Sequence, residues 1–203
     1  MKFGDARNQL LDELFRTGQL TSQAHTYINK AIDFYKKTPT YFNEEVSTAQ
    51  TVAGEEYFDL PIDYGSLQSL TLQVDTNEYR LIHRTMQEMD DMYVSADNYT
   101  GYPQDFCIFR NQIRLGPVPD QAYTLKMAYR RYPETASASH QVNIWLDNEP
   151  DLIIARAAQQ MCFKIIQDVP RGQVFKMEEK EYQQEMTSTT ARKVMRGYTK
   201  GRN

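Results

Sequence analysis

The chain has 203 residues, 40% of them hydrophobic and 25% charged, enough for one large domain or two small ones around a real core. No apolar run approaches the roughly 20 residues that a membrane span requires, and Met1-Lys2-Phe3-Gly4-Asp5 turns polar at once, so no secretory signal is expected. A formal net charge of -4 argues against a general nucleic-acid binder, because such domains usually carry a strong basic excess.

Ala6, Leu10 and Leu14 fall at four-residue steps with Leu11 and Phe15 beside them, which predicts a helix closed by Gly18. Thr21 or Ser22 can cap a second helix, with Tyr27, Ile28, Ala31, Ile32 and Tyr35 as its buried stripe. Lys36 and Lys37 suit its last turn, and Pro39 lies just beyond.

From about Tyr41 the period becomes two. Leu70, Leu72 and Val74 alternate with polar residues, Asp75-Thr76-Asn77-Glu78 offers a turn, and Tyr79 and Leu81 return. Phe106 and Ile108 turn through Arg110-Asn111-Gln112 into Ile113 and Leu115, and Tyr123, Leu125, Met127 and Tyr129 form the clearest strand. One apolar face per strand predicts an antiparallel sheet folded over its own core. A short helix interrupts it: Thr85 and Glu88 make a capping box, and Met86, Met89, Met92 and Tyr93 supply a side that packs on the sheet.

After Pro133 the helical period returns. Asn148 can cap, Pro150 suits a first turn, and Ile154, Ala157, Ala158, Met161, Cys162, Ile165 and Ile166 follow helical spacing. Val169-Pro170-Arg171-Gly172 breaks the pattern, and a further helix begins near Gln173 with a narrow stripe of Phe175, Tyr182 and Met186. Glu178, Glu179, Glu181 and Glu185 then give way to Arg192, Lys193, Arg196, Lys200 and Arg202 with no further acid, so the chain ends in a basic arm. The expected fold is α+β: a helical bundle formed by N- and C-terminal helices, with an inserted antiparallel β-domain and an extended C-terminal tail. The segments are residues 1–39 and 136–186 for the bundle, 40–135 for the insertion and 187–203 for the tail.

Motifs for chemistry are missing. No glycine-rich phosphate loop, HExxH, GxSxG or CxxC occurs. His25, His83 and His140 fall in three separate elements and read as packing or surface residues. Cys107 and Cys162 each lie in an apolar stretch and read as reduced core thiols. The pairs Glu44-Glu45 and Glu55-Glu56 point to opposite faces if extended, and with Asp90-Asp91 they read as solvated surface. No catalytic residue, metal site or cofactor is expected.

The run from Ile28 through Tyr41-Phe42-Asn43 and Gly54-Glu55-Glu56-Tyr57-Phe58-Asp59-Leu60-Pro61-Ile62-Asp63-Tyr64 resembles the opening of phage head-tail adaptor (connector) proteins of short-tailed phages. Gly101 to Phe106, Ile113 to Asp120, Tyr123 to Tyr129 and Asn143-Ile144-Trp145-Leu146 look like the same family, in order along nearly the whole chain. This resemblance, to proteins akin to tail tubular protein A, implies a non-enzymatic virion component of the head-tail neck, assembled in the host cytoplasm. It implies a homo-oligomeric ring, usually of twelve subunits, between the portal protein and the tail nozzle protein, passing DNA through its lumen without specific binding and touching no membrane. It also implies that the C-terminal segment extends onto the portal, so that Arg192, Lys193, Arg196, Lys200 and Arg202 meet an acidic surface there with Tyr198 as an aromatic anchor. The competing readings are a solvated tail, another virion component such as a stopper or terminator, and a small peptidoglycan hydrolase.

Overall fold

The computed structural model describes residues 1–93, 99–134 and 138–200. The chain is α+β, with helices at both ends and strands between them, and it divides into two compact units: Met1–Asn43 with the chain from Tyr132 onward, and Glu44–Arg131.

The helical unit begins with α1 (Phe3–Glu13), which buries Phe3, Ala6, Leu10 and Leu11, and Leu14 behind its last turn. Phe15 departs from the expected face. The helix ends at Leu14, so Phe15 takes a left-handed φ of 51° and stands 81% exposed, with the Arg171 guanidinium 4.5 Å over its ring. In α2 (Thr21–Tyr35) the anticipated stripe is buried together with Ala24. Its N-cap is Leu20, at φ 55°, rather than Thr21 or Ser22, and no side chain caps it. A 3-10 turn, Tyr41–Asn43, closes this half.

Returning from the strands, the chain enters α4 (Ile144–Asn148), where the Asn143 side chain accepts from the Trp145 N–H at 2.9 Å. Asn148 ends this short helix instead of starting the next, and Glu149 precedes α5 (Pro150–Met161). Trp145 is fully buried, edge-on to Phe42 at 5.0 Å and 5.9 Å from the Tyr35 ring. Most of α5 is buried, including Leu152, Ile153, Ile154, Ala157, Ala158 and Met161, so it forms the centre of the bundle. Each fully buried Leu or Ile contributes about 1.5–3 kcal/mol. A π-helical turn, Cys162–Ile166, then rotates the stripe, which leaves Ile165 40% exposed where straight periodicity expected it inside. Gln167 at φ 61° breaks the path, and the Asp168 carboxylate accepts from the Arg171 N–H at 3.1 Å. The last helix, α6 (Val169–Lys200), therefore starts four residues before Gln173, with Pro170 in the first turn where its missing N–H is harmless. It continues unbroken past Thr187-Ser188-Thr189-Thr190 through Lys200. At 1.5 Å per residue, its 32 residues span about 48 Å.

The β-unit holds β1 (Glu44–Gln50), β2 (Tyr57–Asp59), β3 (Tyr64–Val74), β4 (Asn77–Arg80), β5 (Ile82–His83), β6 (Thr100–Gly101), β7 (Asp105–Phe109), β8 (Gln112–Gly116), β9 (Val118–Pro119) and β10 (Thr124–Arg131). Two four-stranded sheets form, in the orders β1-β10-β3-β4 and β2-β8-β7-β5, with a separate β6-β9 pair. The pairings are antiparallel except β5 with β7 and β6 with β9, so two short parallel contacts join the expected antiparallel arrangement. The parallel contact arises because the chain crosses at Leu81 from the first sheet straight into the second. Both expected hairpins are present, turning through Asp75-Thr76 and Arg110-Asn111 with φ of 53° at Asp75 and 56° at Arg110. Tyr79, expected on the apolar face, stands 47% exposed, its ring 6.2 Å from that of Tyr102.

Period-two alternation places Leu70, Leu72, Leu125, Met127 and Tyr129 in one core with Phe106, Ile113 and Leu115. Over β7 lies α3 (Met86–Tyr93), with Met89 fully buried and its capping box closed. The Thr85 N–H donates to Glu88 at 2.7 Å and the Glu88 N–H to Thr85 Oγ1 at 3.2 Å.

Candidate interaction surface

The buried face of α6 is a single line of Gly172, Phe175, Glu179, Tyr182 and Met186, with Thr189 and Thr190 half-buried at its end. Glu179 is the unexpected member. A carboxylate is rarely buried unless paired, and this one accepts from the Tyr35 hydroxyl at 2.6 Å and from Arg156 at 3.0 Å. Burial, and then the hydrogen bond to that carboxylate, push the Tyr35 phenol well above its usual range. On the open side of the helix Val174 and Met177 are 53% and 67% exposed, three residues apart and thus neighbours on one face.

From Ala191 to Val194 every side chain is exposed. Arg192 turns back on its own helix, donating to the Ser188 carbonyl and to Thr189 Oγ1, both at 3.3 Å. Lys193 places its ammonium 3.5 Å from the centre of the Tyr41 ring, and its charge opposes the upward push that burial gives the Glu149 carboxyl. Of the six residues singled out at this end of the chain, these two thus share one exposed stretch of α6. Arg196, Tyr198 and Lys200 belong to its helical backbone, with side chains outside the described residues, and Arg202 lies outside them altogether. Cations at a helix C-terminus are favoured by the macrodipole whether or not a partner exists, so their position alone does not distinguish docking from solvation. Periodicity carried no signal for Tyr41 as the platform of Lys193; Val174 and Met177 were visible as apolar residues off the buried stripe.

Several of the groups that raised a chemical reading have structural partners. Glu56 (3.2 Å) and Asp90 both bind the buried Arg114, Glu45 pairs with Arg131 at 3.1 Å, and Glu44 accepts from Gln68 at 3.0 Å. His25 packs on Phe3 and His83 on Phe106, at 4.8 and 5.1 Å between ring centres, and His140 is exposed elsewhere. Cys107 and Cys162 are buried and unbridged, and burial pushes both thiols up. Among the described residues no group of three or more His, Cys, Asp or Glu is placed to hold a metal ion, and no helix is long and apolar enough to cross a membrane.

In the helical unit a cleft of about 270 Å³ is lined by Glu13, Asp151, Glu178 and Tyr182. Burial, and then the charges of Glu178 and Asp151, raise the Glu13 carboxyl, against the lowering effect of its hydrogen bond from Gln9. The three carboxylates make the cleft electronegative, which disfavours a phosphate backbone there. The open side of α6 thus carries an exposed aliphatic pair, and an exposed cationic stretch lies near its end. A family model described as SU10 adaptor protein matches residues 1–202. No curated protein matches the chain.

Proposed function

The chain belongs to the SU10 adaptor protein family, a family of structural phage adaptors, and from that premise we propose that it is the head-to-tail adaptor: a ring under the portal that connects capsid to tail and lets DNA pass. The observation that carries this reading is the reach of the family match, which takes in both compact units and the basic end of α6. A phage adaptor is a virion component. Its place in the neck, its assembly in the host cytoplasm, a ring of twelve, and the portal and tail nozzle as partners belong to this proposal. So does a role without substrate turnover.

Within the ring, Met1–Asn43 with the chain from Tyr132 onward forms the helical body, Glu44–Arg131 the inserted β-domain, and the basic end of the chain the segment that meets the portal. Arg192, Lys193, Arg196, Lys200 and Arg202 suit an acidic portal surface, and Tyr198 suits an aromatic anchor. A net charge of -4 suits a conduit, because a lumen that neutralised many phosphates would retain DNA rather than let it slide. Electron microscopy of the protein mixed with its cognate portal tests the reading. A coaxial ring is the expected result, and a chain that never joins the portal overturns it.

A further inference from the structure

The β-unit has an apolar cleft of about 530 Å³ between its two sheets, where β3 runs on past the end of β4 and β5 pairs with β7 for only two residues. Leu67, Leu81, Phe106 and Ile108 line it, with Ile82, 53% exposed, beside them. Its polar lining is Gln68, Ser69, Arg80 and His83; Arg80 is exposed and has no ion pair among the described residues.

At the opposite edge of the second sheet, β2 ends and the chain turns through Leu60-Pro61-Ile62-Asp63. Ile62 is 90% exposed, more than any other large hydrophobic among the described residues. This is not a loose loop tip. The Leu60 N–H donates to the Asn111 carbonyl at 3.0 Å and the Tyr64 N–H to that of Pro61 at 3.0 Å. Asp59 accepts from Gln112 at 2.8 Å and Asp63 from the Tyr129 hydroxyl at 2.9 Å. An aliphatic side chain is thus held out into water on a turn fixed from both sides, with a carboxylate on each flank.

We propose that the Ile62 turn of one subunit seats in this cleft of the next, so that β-units join head to tail. The match is chemical: an apolar knob flanked by Asp59 and Asp63 would face an apolar cleft flanked by Arg80 and His83. Knob and cleft stand on opposite edges of one sheet, so each copy that receives a knob presents its own to a third copy. That is a heterologous contact, and it closes into a ring when the rotation allows. The turn is ordered before it binds, so little conformational freedom is lost on seating. This contact rests on the ring reading above and names the subunit surfaces that build it.

The test uses the full chain carrying Ile62→Cys and Ile82→Cys together, oxidised alone at high concentration and again after mixing with the portal. Both native cysteines are buried, so they add little background. A ladder of disulfide-linked multimers is expected from the double variant and none from either single variant. Separately, Ile62→Asp leaves the melting temperature unchanged, because the side chain is solvated, and raises the concentration needed for assembly by about tenfold or more, as loss of an interface anchor does. Coaxial rings on the portal without the ladder overturn this contact and leave the adaptor reading standing. A ladder from protein that never joins the portal does the reverse.

Discussion

The Tyr35 hydroxyl donates a 2.6 Å hydrogen bond to Oε1 of Glu179, 144 residues further along the chain, and Arg156 reaches the same oxygen at 3.0 Å. One buried carboxylate therefore ties α2, α5 and α6 together, and the Arg156 guanidinium also lies 3.8 Å over the Phe34 ring. Tyr35→Phe removes one donor and leaves Arg156 in place, so the loss is expected near the low end for a charged hydrogen bond, about 1.5 kcal/mol. Glu179→Ala strands both the hydroxyl and the guanidinium, and is expected to cost about 3 kcal/mol. Urea unfolding checks both, with a lower midpoint at an unchanged slope as the signature.

Gly116 is where α3 comes down on the second sheet. A Cβ built there would sit 2.5 Å from the Tyr93 ring and 2.8 Å from the end of Met89. The ring cannot simply swing away, because its hydroxyl donates to Asp105 at 2.6 Å, and Asp105 is in turn bound by Arg84 at 2.8 Å. Gly116→Ala is therefore expected to destabilise by about 1–3 kcal/mol, the range for overpacking. Calorimetry would read this as a lower melting temperature. A variant as stable as the parent would show that α3 is free to lift.

Several tyrosines give the fold an alkaline limit. Burial, and then the hydrogen bond to Asp63, push the Tyr129 phenol up to about 12. Tyr35 and Tyr93 move the same way for the same order of causes, with Glu179 and Asp105 as their acceptors. An unfolded tyrosine ionises near pH 10, so above that pH the unfolded chain releases protons that the folded chain keeps. The stabilisation is complete below about pH 10 and is lost as pH rises towards about 12. The urea midpoint should fall between about pH 10 and about pH 11.5, with a shallower fall in Tyr129→Phe. The slope against pH is the readout, because that substitution also removes a hydrogen bond at every pH.

Local patterns in the sequence translate into structure where one periodicity or one short motif decides. The stripe of α2, the alternation of Leu125, Met127 and Tyr129, and the Thr85–Glu88 capping box are of this kind. What escaped depends on partners distant in sequence or on a change of helical pitch. The π-turn at Cys162–Ile166 keeps apolar spacing while rotating Ile165 outward. Asn143 and Asn148 are equally good caps on chemistry, and only the existence of a five-residue helix between them separates their roles. Glu179 stands among Glu178, Glu181 and Glu185, and nothing local marks it as the one that meets Tyr35. The threonine-rich stretch at 187–190 has weak helix propensity, yet Met186 on one side and the half-buried Thr189 and Thr190 anchor it to the bundle, and packing outweighs propensity.

That anchoring defines a clean cut for testing the basic end of α6. Among the residues with described side chains the buried stripe ends at Thr190, and from Ala191 to Val194 Lys193 reaches back to the bundle, over the Tyr41 ring and towards the Glu149 carboxyl. An exposed cation–π contact is worth about 0.5–1 kcal/mol, so Lys193→Ala should cost about that much, and removing residues 191–203 should leave the bundle folded while abolishing portal docking. Arg192→Glu with Lys193→Glu in the full chain should weaken docking without unfolding the bundle. The parent complex should loosen as salt rises through the range where surface charges are screened, and the double reversal should flatten that dependence. Sedimentation with the portal at several salt concentrations measures both effects. A truncated chain that docks as tightly as the full one would move the contact elsewhere on the subunit, with the exposed Val174 and Met177 of α6 next in line.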